Sequence, residues 1–204
     1  MTGGGQRRAT LWMFAALLVG LVLGVGIGVL LRTPTMPDEN SAEAGFARDM
    51  STHHAQAVEM GMIAYAKAAN SDVRFMGRDI ALTQQGQVGI MQGWLEQWHL
   101  DPTGSRPPMA WMADGKESLR NGLMPGMATP EQIAQLRAAT GRDVDVQFLN
   151  LMIQHHLGGI HMAEEVAKLS DNEQVDKLAQ IAMNGQQREL TDMRNLLADV
   201  QKTE

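Results

Sequence analysis

The sequence predicts an all-α protein: a ferritin-like four-helix bundle built from two repeated helical hairpins, behind an N-terminal transmembrane helix. Three observations predict this. An uncharged apolar run lies near the start of the chain. Residues 46–95 recur without a gap at 148–197. Within each copy the apolar residues return at the spacing of a helix face.

The first element is the apolar run. Leu11 to Leu31 is 21 residues without a charge, and about 20 apolar residues span a bilayer as a helix. Arg7 and Arg8 precede it, so residues 1–10 are expected in the cytoplasm and the rest of the chain outside, as a single-pass cell-membrane protein. A cleaved signal peptide is the rival, but its core is usually shorter and no small-residue cleavage motif follows. Gly20, Gly24 and Gly28 recur every four residues, a spacing that allows close pairing of membrane helices and a possible homodimer. Residues 32–41 read as a linker.

The domain at 42–200 follows. Its two copies share Phe46/Phe148, Met50/Met152, His53/His155, His54/His156 and Met60/Met162, and then Asn70/Asn172, Val73/Val175, Gln84/Gln186, Gln85/Gln187, Met91/Met193 and Leu95/Leu197. Most of the first group are rare His and Met residues, which makes chance a poor explanation. Each copy reads as two helices: about 41–69 and 72–98 in the hairpin at 42–98, and about 143–169 and 173–200 in the hairpin at 143–200. Asn70 is expected to end the first of these in a left-handed conformation. One hairpin alone leaves an apolar face exposed, and two bury it as a bundle with one long connection.

That connection, 99–142, is rich in Met, Pro and Gly. Thr129-Pro130-Glu131-Gln132 has the form of a helix start, with a capping Thr, Pro in the first turn and Gln at the third position. A short helix is expected to reach about Ala139 and stop at Gly141. Met109, Met112, Met124 and Met127 form a second sulfur cluster here, read either as a flexible metal clamp or as a loop packed on the bundle.

Charge excludes one class of partner. All 23 acidic residues lie from Asp38 onward with 17 − 3 = 14 basic ones, so this part carries 14 − 23 = −9. A nucleic-acid surface needs a basic stripe. There is no Cys, which excludes disulfides, thiolate zinc sites and thiol catalysis.

The candidate site follows from helix geometry. At about 100° per residue, Phe46, Met50, His53, Ala57, Met60 and Ala64 share a face, and so do Phe148, Met152, His155, Gly159, Met162 and Val166. His54 and His156 lie about 100° round, at the edge. His161 points away and is expected to be exposed. On the second helix of each hairpin, Met91 falls near the level of Met50, Gln87 near His53, and Glu189 near His155. The candidate ligands are therefore Met50, His53, His54, Met60 and Met91, with Met152, His155, His156, Met162 and Met193. A lone buried His, or a Met at helical spacing, is commonly just core. Both types, in both copies, together point to a bound ion, because burying a polar group without a partner is costly. Thioether with imidazole favours copper, Cu(I) above all; zinc more often recruits thiolate or carboxylate. Di-iron bundles carry a Glu-x-x-His motif on each of two helices, and the chain has no such pair.

The segment from Phe46 to Met60, with Asp49-Met50 and His53-His54, resembles the signature of the domain of unknown function 305 (DUF305) family. Phe148 to Met162 repeats it, and Met124-Pro-Gly-Met-Ala-Thr-Pro-Glu131 is similar to a further segment of that family. The resemblance covers about 42–199. It implies a ferritin-like bundle, usually exported or membrane-anchored, in a family some of whose members are associated with copper binding and tolerance. The acidic residue before the first Met is present as Asp49, but the second copy has Leu151 there. The family's usual Pro before the His pair is Thr52 in one copy and Gln154 in the other.

The function expected is extracytoplasmic copper binding, for buffering or delivery. The alternatives are a metal-free structural or partner-binding bundle and a copper-dependent redox enzyme. No set of nucleophile, His and acid stands out, so hydrolytic catalysis is not expected.

Overall fold

The computed structural model describes residues 3–30 and 36–202, with side chains at 10–25 and 36–202. Among the described residues there are seven helices and no strand. The chain divides into two units, residues 1–36 and 37–204.

The first unit holds α1 (Gly3–Leu30). Its described side chains, Thr10 to Val25, are all exposed, among them Leu11, Trp12, Phe14, Leu17 and Leu21. Among the described residues no helix is long and apolar enough to cross a membrane. The transmembrane anchor expected at 11–31 is therefore without structural support. The side chains of that span are described from Leu11 to Val25. The remainder of the expected span, and Gly28 of the small-residue stripe, lie outside the described side chains.

The second unit holds α2 (Ala42–Lys67), α3 (Ser71–Gln97), α4 (Gly115–Ser118), α5 (Pro130–Ala138), α6 (Arg142–Leu169) and α7 (Glu173–Lys202). The hydroxyl of Ser41 starts α2 by accepting from the Ala44 N–H at 3.1 Å. Asn70 does not end α2 in a left-handed conformation as expected. It is extended, with φ −76°, and its side-chain oxygen accepts from the backbone N–H groups of Asp72 and Val73, which starts α3 instead. An Asn side chain can satisfy a free helix N–H as well as tolerate a left-handed turn, and here the first role prevails. Asn172 repeats it with Gln174 and Val175 at the start of α7. Thr129 and Gln132 form the expected capping box on α5.

The helices pair as two hairpins, α2 with α3 and α6 with α7, joined mainly through α2 against α6. In the first hairpin glycines bring the partners close: a Cβ added at Gly61 would lie 2.4 Å from the Gly77 carbonyl oxygen. The equivalent residues of the second hairpin, Ala163 and Ala179, are fully buried.

Two apolar clusters fill the interior. One contains Phe46, Met50, Met91, Met162 and Val166. The other contains Ala57, Met60, Phe148, Met152 and Met193. The start of α2 thus shares a cluster with the end of α6, and the converse holds in the other cluster, so these two helices run antiparallel. The repeat offset exchanges the clusters: Met50, Met91 and Met162 correspond to Met152, Met193 and Met60. The duplication is a pseudo-twofold arrangement about the α2–α6 crossing, and His53 and His155 lie at that crossing.

Candidate metal centre

Four histidines occupy the middle of the bundle, each at most 1% exposed. The rings of His53 and His155 meet with centroids 3.8 Å apart and planes tilted by 33°. One helix position further on, His54 and His156 are turned by about 100°, which directs each toward the other helix of its own hairpin. The His54 Nε2 lies 2.7 Å from the Gln87 Oε1, and the His156 Nε2 lies 2.6 Å from the Glu189 Oε2. This corrects two expectations. His54 and His156 are interior rather than at the edge of the face. Gln87 and Glu189 serve them rather than His53 and His155, because the hairpin partner lies on the side to which the second ring of each pair turns.

Three of the four rings are thus held at Nε2, His53 through the Pro125 carbonyl oxygen at 3.0 Å. A carbonyl or carboxylate oxygen only accepts, so each of these rings donates from Nε2, which in a neutral ring leaves the lone pair on Nδ1. The Nδ1 atoms of His53, His54, His155 and His156 are all buried and without a hydrogen-bond partner, and the His155 Nε2 is equally unpartnered. Both amide atoms of Gln84 and of Gln186 are in the same condition. A buried polar atom left unpaired costs about 1–3 kcal/mol. Five such imidazole nitrogens in one layer therefore form a substantial defect in an apolar core, or a set of donors.

Burial disfavours the charged form of His53, His54 and His155. It lowers His53 to about 3 and His54 to about 4, and it holds His155 well below its ordinary value. For His53 and His155 the neighbouring histidines add to the effect, since a second positive charge would face the first. Neutral imidazole is the form that binds metals.

The six candidate sulfurs of the helices are buried at the two ends of this layer: Met50, Met91 and Met162 in one cluster, Met60, Met152 and Met193 in the other. Each set draws on both hairpins. The expectation that each copy assembles its own Met, His and polar group is replaced by a single imidazole layer shared between the halves. His161 faces away from this layer and pairs with Asp114 at 3.1 Å, half-buried rather than free.

The connection closes the centre from one side. Its Pro125–Gly126 turn lies directly on α6: a Cβ added at Gly158 would stand 1.9 Å from the Pro125 carbonyl oxygen, and one at Gly126 would stand 2.2 Å from the Gln154 carbonyl oxygen. Gln56 bonds both the N–H and the C=O of Ala128. Met109, Met112 and Met124 are buried in the cluster with Met50, and Met127 packs against it. The connection is thus a packed cover, not a flexible clamp. Asp49 explains its one-sidedness. Its Oδ2 accepts from the Met109 N–H at 2.7 Å and the Trp111 Nε1–H at 2.8 Å. The indole fills the space over Gly45, where a Cβ would lie 2.4 Å away. Leu151, at the equivalent position of the second copy, has no such segment to hold.

Sequence reasoning missed the Pro125 carbonyl and the glycines that admit its turn. Gly158-Gly159, one residue beyond the second His pair, where the first copy has Gln56-Ala57, was the available signal. Gly159 also makes room for Gln186, whose Oε1 would lie 2.5 Å from a Cβ there.

Among the described residues no three His, Cys, Asp or Glu side chains are grouped so as to hold a metal ion by themselves. The donors buried in the bundle are imidazole nitrogens in the central layer and thioether sulfurs in the two apolar clusters. The unpaired Nδ1 lone pairs fit a soft cation that accepts both types.

Comparison with known proteins agrees with the duplicated signature. Residues 43–197 match the family described as domain of unknown function (DUF305). The fold is similar to a DUF305 protein from Streptomyces coelicolor, with 41% identity over 80% of this chain and 96% of that one and a TM-score of 0.74. It is similar to a DUF305 fragment from Deinococcus radiodurans, with 27% identity over 80% and 99% and a TM-score of 0.66. It shares its fold with CopM in the Cu(I)-bound form, with 22% identity over 77% and 96% and a TM-score of 0.60. No curated protein matches the chain. By its matched span and these structural likenesses, the chain belongs to the DUF305 family.

Proposed function

We propose that this chain is an extracytoplasmic copper-binding protein that buffers or delivers the metal, with Cu(I) the favoured form. The observation that carries the reading is the layer of buried imidazoles whose Nδ1 atoms lack any partner. His53, His54, His155 and His156 would supply the imidazole donors, no three of them to one ion, with sulfur from Met50, Met91 and Met162 or from Met60, Met152 and Met193. Copper would supply a Lewis acid that satisfies these lone pairs. The chain's own part is to orient the rings through Pro125, Gln87 and Glu189, to keep His53, His54 and His155 deprotonated by burial, and to exclude water beneath the connection. CopM, which shares the fold, has been solved with Cu(I), Cu(II) and silver, and this likeness supports the choice of metal.

The same proposal includes the membrane anchor at 11–31 and the outward-facing domain. It is supported by the uncharged run behind Arg7 and Arg8 and by the Streptomyces relative, described as a presumptive secreted protein. The ferritin-like classification and the homodimer through Gly20, Gly24 and Gly28 are likewise proposals. A metal-free bundle is the second reading, favoured by the absence of a three-residue His, Cys, Asp or Glu group among the described residues.

Titration of the purified chain with Cu(I), Cu(II) and Zn(II), followed by binding stoichiometry and thermal shift, separates these readings. Cu(I) is expected to bind and to raise the melting temperature, and His53→Ala with His155→Ala to abolish both effects. Failure of every metal to bind would leave the metal-free bundle. Oxidation of a chromogenic substrate by the copper-loaded chain would favour a redox enzyme.

A further inference from the structure

The duplication provides an internal comparison at the hydrogen bonds that hold the second histidine of each pair. His54 bonds the Gln87 amide oxygen at 2.7 Å, and His156 bonds a Glu189 carboxylate oxygen at 2.6 Å. Gln87 and Glu189 are equivalent under the repeat, as 87 + 102 = 189. The two contacts have nearly the same length and use the same ring atom. They differ in one negative charge. They differ also in access: the Glu189 side chain is 29% exposed, whereas Gln87 is 8% exposed. Among the described residues Glu189 is the carboxylate bonded to a buried histidine of this layer. The other polar contacts are neutral: the Pro125 carbonyl on His53 and the amide of Gln87 on His54. The Asp49 carboxylate is engaged by Met109 and Trp111 instead.

An amide oxygen and a carboxylate orient an imidazole equally well, but only the carboxylate makes the ring a stronger donor. A fixed negative charge near the ion also attracts it in proportion to the ion's own charge. We infer that Glu189 is the residue that sets charge selectivity in this centre, supporting a divalent, imidazole-preferring ion while the neutral imidazole and thioether donors suffice for a monovalent soft one. The inference rests on the metal-binding function proposed above. Glu189 acts through His156 and is a positioning residue, placed on the side where the layer reaches solvent.

The test uses the purified full chain as wild type, Glu189→Gln and Gln87→Glu. Each is titrated separately with Cu(II) and with Ag(I), the latter a monovalent soft ion that does not change oxidation state. Gln at 189 reproduces the arrangement already present at 87, so ring orientation is kept and only charge is lost. Glu189→Gln is expected to weaken Cu(II) binding about 10–100-fold and Ag(I) binding by less than about threefold. Gln87→Glu is expected to shift the ratio of the two affinities the opposite way, and it reads the same effect from the other half if Glu189→Gln does not fold. A change in the ratio is the readout that a merely structural role would not produce. An equal loss for both ions, or an unchanged Cu(II) affinity, overturns the inference and leaves metal binding intact. A wild-type chain that takes up neither ion overturns both.

Discussion

His155→Leu is the most informative substitution, because it is expected to stabilise the apo protein. His155 is fully buried, tilted against the His53 ring, and has two unpartnered ring nitrogens. Each such atom costs about 1–3 kcal/mol, so removing both relieves about 2–6 kcal/mol. Against this stand the lost ring contact, about 0.5–1.5 kcal/mol, and the imperfect fit of a Leu in a pocket shaped for imidazole, under about 1.5 kcal/mol. Taken at mid-range, about 4 less about 1 and about 0.75, the net gain is about 2 kcal/mol. For a unit of this size each kcal/mol moves the melting temperature by about 2–4 °C, so the apo variant melts roughly 4–8 °C above wild type. Circular dichroism melts in the presence of a chelator measure this. Adding Ag(I) at about a hundredfold over its dissociation constant contributes about 2.7 kcal/mol to wild type and much less to the variant, which reverses the order. An apo variant less stable than wild type, or one still stabilised by silver, refutes the reasoning that this ring is retained for an ion.

Acid is expected to unfold the apo chain early. Burial lowers His53 and His54 from 6.5 to about 3 and about 4, so between those values the unfolded chain binds more protons than the folded one. Stability is therefore full above about pH 6.5 and falls as the pH drops toward 4, by about 1.4 kcal/mol per unit for each ring. A circular dichroism signal unchanged down to pH 4 would contradict this. Gly158→Ala is expected to displace the Pro125–Gly126 turn, cost about 1–3 kcal/mol by overpacking and expose the connection to protease; a variant as stable and as resistant as wild type would contradict it. Met50→Leu keeps core volume and is expected to change stability by less than about 1.5 kcal/mol while weakening Ag(I) binding. Unchanged silver affinity there, and in Met60→Leu, would show that these sulfurs are core alone.

The sequence made the helices legible and left their mutual arrangement hidden. α2 is expected at 41–69 and lies at 42–67, and α7 is expected at 173–200 and lies at 173–202, because periodicity, caps and breakers are local. The face that carries Phe46, Met50, His53 and Met60 could be read for the same reason. Which helix that face meets could not. A repeat invites each copy to be read as self-contained, yet the antiparallel crossing of α2 and α6 gathers Met162 with Met50 and His155 with His53. The roles of His54 and His156 were missed because a single-helix projection has no neighbour, and a ring at the edge of one face becomes interior once α3 or α7 covers it. The Pro125 carbonyl was beyond reach for another reason: a backbone acceptor has no residue type to recognise, and only Gly158-Gly159 marks the place where a chain can come so close.

The most direct test of the account follows the imidazole nitrogens themselves. Long-range proton–nitrogen NMR spectra of the histidine side chains, recorded as Ag(I) is added, report which ring atoms take the ion. The account predicts Nε2-protonated rings for His53, His54 and His156 in the apo chain, and shifts on silver binding concentrated at Nδ1 among the four buried rings, with His99 and His161 unmoved. Shifts confined to His99 and His161, or buried Nδ1 signals that do not respond to silver, would contradict it.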